Sequence, residues 1–320
     1  MEIVRYRLKP LSSFITDWSS DTLFGCLAWA LVNLEGEAAL HTLLEACAAG
    51  APPFVLSSAF PGDLLPRPLI PVPMARKETF GLEDIALAKR QKKVGWLPLA
   101  SFETARRGEP YNIPLSPPPF VTEGVLHNQI NRIWESTSRN QPDQDAQRNE
   151  AGGHLYSVEE TWLDTRYYTY LTLYALVQPD WLARLDALLN EAGRYGIGGR
   201  ASTGKGTFIV SREKGFCGFA PVSAANGYIV LGNYVPAAEE GTQGFYKTRI
   251  KRGRLGQERS NWANAFKNPV VFLVAGSAFY GRPERSFVGR LVPDVAPGAP
   301  DVVQCGMTMA LPARLPAKTA

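Results

Sequence analysis

Six glycines fall within fourteen residues at Gly193, Gly196, Gly198, Gly199, Gly204 and Gly206, and this segment constrains the fold more than any other. Glycine reaches positive φ without steric cost, so the chain here must turn tightly or approach another backbone closely. Before it, Leu182, Leu185, Leu188 and Leu189 recur with the period of an amphipathic helix; after it, Thr207 to Ser211 is β-branched strand text. The loop therefore joins a helix to a strand. That is the reverse of the dinucleotide-binding order, and Gly206 stands where a Walker A loop would need Ser or Thr after Lys205. The other polar residues of the loop, Arg194, Arg200, Ser202, Thr203 and Lys205, all donate hydrogen bonds and no acid interrupts them. Such a loop suits a phosphate backbone.

The elements around the loop give a fold class. Glu2 to Lys9 alternates with period two, one face carrying Ile3, Arg5, Arg7 and Lys9, and reads as a first strand ended by Pro10. Asp21 is an N-cap residue before Leu23, Phe24, Leu27 and Leu31, so a helix is expected from there. A proline-rich stretch between Pro52 and Pro119 follows, with a short basic helix over 83–93 and a strand after it. From Glu135 to Gly153 only Ala146 and Ala151 are apolar, and the segment is expected to be a mobile insertion. Strands then resume from Tyr156 and Tyr167, ahead of the helix and the glycine loop. The order is βαββαβ with an expanded middle, which predicts an α+β ferredoxin-like first domain over 1–213. The strand text of 214–320, broken by turns such as Ala296 to Pro300, predicts a smaller second α+β domain.

Composition removes several classes of function. Lys and Arg number 34 against 30 Asp and Glu, a net charge of +4, which permits nucleic acid as a partner without demanding it. Cys26, Cys47, Cys217 and Cys305 form no CxxC pair, so neither a zinc site nor a disulfide framework is expected. The apolar run from Leu23 to Leu34 is too short to span a bilayer, and the opening strand has no signal-peptide pattern; a cytoplasmic, membrane-free protein is expected. His41, His127 and His154 are the only histidines, with no nucleophile elbow and no metal loop. No cofactor and no metal are expected, and catalysis would have to be built from few parts.

Two further segments could carry chemistry. His127-Asn128-Gln129-Ile130-Asn131-Arg132 puts an imidazole, three amides and a guanidinium around one apolar anchor, groups that hydrogen-bond base edges and phosphates. Lys247, Arg249, Lys251, Arg252 and Arg254 form a basic run just after Phe245 and Tyr246, the combination that stacking plus phosphate neutralisation requires. A surface turn and a solvated hairpin would explain the same two segments equally simply.

Taken together, these residues resemble a known family. Leu8-Lys9-Pro10-Leu11-Ser12-Ser13-Phe14 with Asp21-Thr22-Leu23-Phe24-Gly25 is similar to the start of RAMP proteins, the repeat-associated subunits of CRISPR effectors. His127 to Arg132, Gly153 to Tyr156, Ser202 to Gly206 and Val302 to Gly306 narrow the resemblance to the family that forms the fourth subunit of type III-A (Csm) complexes. It departs from that pattern where Ile133-Trp134 follows Arg132 in place of a Thr-Gly turn, and where Cys305 replaces an aromatic residue. The resemblance implies two ferredoxin-like (RRM-like) domains and no catalytic role. It also implies that the chain grips the 5′ repeat-derived handle of the guide RNA (crRNA), docks on the large polymerase-like subunit, adjoins a RAMP backbone subunit and meets target RNA only indirectly. Carried over by position, the handle contacts are Lys9, Ser12, Ser13, Phe14, the His127 to Arg132 motif and the loop from Gly196 to Gly206. The alternative is a RAMP endoribonuclease that processes repeat RNA with His127 or His154 as acid or base.

Overall fold

The structure is a computed structural model that describes residues 1–71, 81–128, 155–256, 259–260, 262, 264–283 and 285–317. Gln129, Ile130, Asn131, Arg132, His154 and the segment expected to be mobile lie outside the described residues. In the first two hundred residues, β1 (Glu2–Pro10), α1 (Ser20–Glu35) and α2 (Glu37–Ala48) lead to the short strands β2 (Phe54–Leu56), β3 (Phe60–Pro61) and β4 (Leu64–Pro66). The proline-rich part continues with α3 (Leu82–Lys92), β5 (Trp96–Pro98) and α4 (Leu99–Arg106). A long hairpin, β6 (Phe120–Asn128) and β7 (Leu155–Leu163), precedes β8 (Leu171–Val177), α5 (Leu182–Tyr195) and β9 (Phe208–Arg212).

The first sheet runs β2-β8-β1-β9 with every neighbour antiparallel, and β3 also pairs with β8. This is the strand order expected of βαββαβ text, with the fourth strand beside the first. All seven residues of β8 are buried, because both faces of the sheet are covered. On one face, Tyr6 and Leu8 meet α5, where the Tyr6 hydroxyl donates to Asp186 at 2.7 Å. The other face, where the basic side of β1 emerges, is closed by Phe216 and Phe219 against Tyr174, with Arg5 and Arg7 both paired to Glu213. Arg5 and Arg7 of the basic face are thus neutralised, while Lys9 stays exposed.

The second half contributes the strands β10 (Gly227–Val230), β11 (Gly244–Phe245), β12 (Thr248–Lys251), β13 (Val270–Leu273), β14 (Ala278–Tyr280), β15 (Phe287–Val288), β16 (Leu291–Val292), β17 (Gln304–Cys305) and β18 (Thr308–Ala313). Its main sheet is β11-β14-β10-β18-β15. Among the described residues no α-helix follows α5. The cover that helices would supply comes from elsewhere: Ile229, Leu231, Met309 and Leu311 enter the core of the first half, while Tyr228, Val230, Phe279 and Ala310 pack with Leu273 of β13. One core therefore runs through both sheets. No helix among the described residues is long and apolar enough to cross a membrane.

At the seam between the halves, α1 starts one residue before the expected cap. Ser19 is its N-cap and makes no side-chain cap bond. Asp21 lies inside the first turn, buried, and accepts from Asn233 at 2.7 Å, Lys251 at 2.6 Å and Gln304 at 3.0 Å. Lys267 continues the network by donating to Gln304 Oε1 and the Val303 carbonyl. Burial lowers the Lys267 ammonium from 10.5 to about 8. Its depressed folded value means that the associated stability is present above pH 10.5 and lost as pH falls towards 8. Relative to Lys267→Met, the wild type should gain stability between those two pH values, measured by urea unfolding as a pH series; a flat difference would refute the assignment.

Candidate nucleic-acid interface

The glycine loop starts where α5 ends, and its neck is closed by the glycines themselves. Gly196 and Gly206 have φ of +88° and +73°, and a Cβ on either would fall on a carbonyl oxygen of the opposite limb, Lys205 or Ile197. Ile197 donates to the Gly206 carbonyl at 2.9 Å, and a Cβ on Gly198 would stand 2.6 Å from that of Thr16. These three glycines serve the packing of the loop. The exposed rim is Gly199, Ser202, Thr203 and Gly204, with Arg200 in the left-handed region at φ +59°. Gly204, at φ +81°, faces open space.

The exit of β1 holds this neck. Gly206 N–H donates to the Ser13 carbonyl at 2.8 Å, Gly199 N–H to Thr16 Oγ1 at 3.0 Å, and Thr207 N–H to Ser12 Oγ at 3.1 Å. The side chains of this segment are thereby spoken for. Phe14 is 4% exposed and packs on Trp18 and Phe120, so it offers no ring to a base, and Ser13 is buried as well. Lys9 is exposed.

The β6–β7 hairpin closes the third side. Phe14 and Thr161 exchange two backbone hydrogen bonds of 2.9 Å, which seats Glu160 under the loop. Glu160 is fully buried; its Oε2 accepts from Ser13 Oγ at 2.5 Å and Lys205 Nζ at 2.6 Å. His127 Nε2 lies 3.4 Å from Oε1, close enough for attraction but without hydrogen-bond alignment. Burial pushes the Glu160 carboxyl up, but Lys205, Ser13 and His127 outweigh it and hold the group below its ordinary value. His127 pairs across the ladder with Tyr156, the rings stacked at 5.6 Å and 17°, and the Arg200 guanidinium stands 5.1 Å from the Tyr156 ring centroid. Asn128 is exposed at the end of β6, one residue on from His127 and so on the opposite face of the strand.

The structure thus brings Ser12, Ser13, His127, Arg200 and Lys205 into one neighbourhood. Glu160 and Tyr156 belong to it and were not among the residues expected from sequence. Their signal was the period-two spacing of Tyr156, Val158 and Glu160 on one strand face, opposite His127, Val125 and Glu123.

The basic run of β12 divides. Arg249 pairs with Asp17 at 2.7 Å, next to Thr16 and so beside the loop; Lys251 turns inward to Asp21. Lys247 and Arg252 are exposed, Arg252 against the Phe266 ring at 5.2 Å. Arg194, also exposed, approaches Glu191 at 3.8 Å. Among the described residues, no three His, Cys, Asp or Glu side chains gather as a metal would require.

No protein-family model matches the sequence. A curated CRISPR system Csm4 protein of Thermococcus onnurineus (strain NA1) is 28% identical over 216 residues, 65% of this chain and 68% of that protein. The Csm1-Csm4 cassette solved with pppApA contains a chain that superposes with a TM-score of 0.62 at 21% identity, covering 99% of both. A Csm3-Csm4 subcomplex of the type III-A interference complex gives a TM-score of 0.59 at 15% identity, over 97% of this chain and 99% of that one. The chain therefore has the fold of a chain in each of these two complexes. In sequence it is similar to a Csm4 protein, and in fold to a chain of a Csm1-Csm4 cassette.

Proposed function

We propose that the chain is the Csm4-type subunit of a type III-A effector complex and that it holds the crRNA 5′ handle on the surface formed by the β1 exit, the glycine-loop rim and the β6–β7 hairpin. The observation that carries this reading is the convergence of those three segments on Glu160. Each was marked by sequence as a nucleic-acid element, and only the tertiary fold makes them neighbours. An RRM binds RNA on its open sheet face with aromatic side chains. That face is filled here by Phe216, Phe219 and Tyr174, so the handle is assigned to loops.

Both sheets are read as ferredoxin-like, divided near residue 213, because β11-β14-β10-β18 repeats the order of β2-β8-β1-β9 without its helices. Docking on a polymerase-like Csm1 subunit and on a Csm3 backbone subunit follows from the partners named in the two similar structures. Target RNA is met only through these neighbours, and the chain works without catalysis or cofactor.

Handle identity is read by His127 and Asn128, together with Asn131 and Arg132, while Arg200, Ser202, Thr203 and the backbone hold phosphate. Asn128→Ala should weaken binding of a native-handle guide about fivefold to tenfold, the worth of one neutral hydrogen bond, with little effect on a scrambled handle. Arg200→Ala should weaken both equally and lower the salt slope by about 0.7. Equal losses for Asn128→Ala on both RNAs would return it to a structural role. The His127–Glu160 approach supports one second reading, a repeat-RNA endonuclease. Cleavage of repeat RNA by the purified chain, abolished in His127→Ala, would establish it and overturn the first.

A further inference from the structure

We propose that the basic half of α3 is a second RNA-contact surface, holding the phosphate backbone of the guide beyond the handle. The inference rests on the guide-RNA reading above.

The helix is poorly attached to the body. None of its described side chains is buried, and Ile85 and Leu87 are 44% and 45% exposed. An isolated helix of this length is marginal in water. It is held by polar bonds: Asp84 accepts from Gly81 N–H at 3.1 Å, Arg67 donates to the Gln91 carbonyl at 2.6 Å, and Gln91 donates to the Ile113 carbonyl at 3.2 Å.

Its charges are segregated. Glu83 and Asp84 occupy the first turn, while Lys89, Arg90, Lys92 and the adjoining Lys93 crowd the end. Arg67 and one or two of these cations would satisfy the helix dipole. The others have no such task, and all four are exposed without an ion-pair partner among the described residues.

The position of this end gives the cluster its partner. Arg67, which caps α3, has its own carbonyl against Gly276, and Leu69 donates to the Gly276 carbonyl at 2.8 Å. Two residues earlier, Val274 donates to the Lys247 carbonyl at 3.1 Å. Lys247 directly precedes the basic strand β12, whose Arg249 reaches Asp17 beside the glycine loop. These contacts therefore link the end of α3, through Arg67 and the 274–276 turn, to the segment that carries Lys247 and Arg249 beside the loop. Lysine is depleted in protein–protein interfaces and aromatic residues are enriched there, whereas phosphate contacts use lysine and arginine freely. Three lysines and an arginine without an aromatic anchor on α3 fit RNA better than a protein.

The test uses the full chain and a labelled single-stranded RNA carrying the native handle with its adjoining guide segment, titrated by fluorescence anisotropy over a salt series. The quadruple variant Lys89→Ala/Arg90→Ala/Lys92→Ala/Lys93→Ala should reduce the slope of log affinity against log salt by about 2 to 3, with melting unchanged. Ile85→Ala/Leu87→Ala should leave the slope as it was. An unchanged slope in the quadruple variant, alongside a reduced one in Arg200→Ala, would overturn the α3 site and leave the handle reading standing. Failure of the wild type to bind this RNA would overturn both. Loss of co-purification with the polymerase-like subunit at unchanged RNA slope would make α3 a protein dock and refute the proposal.

Discussion

Replacing Lys205 by alanine is expected to lower folding stability by about 3 to 5 kcal/mol, read as a shift of the urea midpoint at constant slope. The reason lies beneath the loop. Glu160 has a side chain only 1% exposed, and among the described residues Lys205 is the lysine or arginine that pairs with it, at 2.6 Å. Without that ammonium, Glu160 keeps Ser13 and a loosely aligned His127 and remains a buried charge with too little compensation. The pair Glu160→Gln/Lys205→Met should recover most of the loss, because the charge and its partner go together.

The pH dependence has a defined sign. The Glu160 carboxyl is held below its ordinary 4.5, so its contribution is present above that pH and lost as pH falls through the lower folded value. Glu160→Gln should flatten that acid limb. Were Lys205 instead a free phosphate contact, Lys205→Ala would leave stability unchanged and reduce only RNA affinity. Equal urea midpoints for wild type and Lys205→Ala would therefore remove Glu160 as the hub of the site.

Lys205 also illustrates where sequence reading succeeds and where it stops. Local periodicity located the glycine loop between a helix and a strand, and the βαββαβ order of the first sheet, because both depend on neighbours a few residues apart. It gave all six glycines one role, however. The neck glycines Gly196, Gly198 and Gly206 are required by contacts with Lys205, Thr16 and Ile197, and such contacts leave no mark at short range. The basic run of β12 was legible as charge, but its direction was not: Arg249 and Lys251 turn to Asp17 and Asp21, more than two hundred residues earlier. In the same way, nothing local separates Glu160 from Glu159 on β7; its burial follows from the β1 exit lying against Thr161. The second half was expected to carry helices because a ferredoxin-like unit normally does. What the text of β10 said was simpler: Gly227-Tyr228-Ile229-Val230 is apolar on both faces, and both are covered, by the first core and by β13.

That shared core makes the seam between the halves the place where a single change should do most harm. Asp21→Ala is expected to cost about 3 to 5 kcal/mol, because it leaves Lys251, with a side chain 20% exposed, facing only the hydroxyls of Ser19 and Thr22. It also removes the acceptor of Asn233 and Gln304, two side chains that reach α1 from the second half and are themselves buried. Unsatisfied, each adds a desolvation cost of about 1 to 3 kcal/mol, unless water enters the seam. The cost falls on the joint and not on either sheet, so native-state hydrogen exchange is the measurement that sees it. In the wild type, amides of β8 and β10 should exchange through one common opening, since one core spans both sheets. In Asp21→Ala, the amides of β10 and β18 should open at lower free energy than those of β1 and β8, separating the protein into two units near residue 213. A uniform loss across all four strands would instead mean that the two sheets fold as one unit, with no domain boundary there.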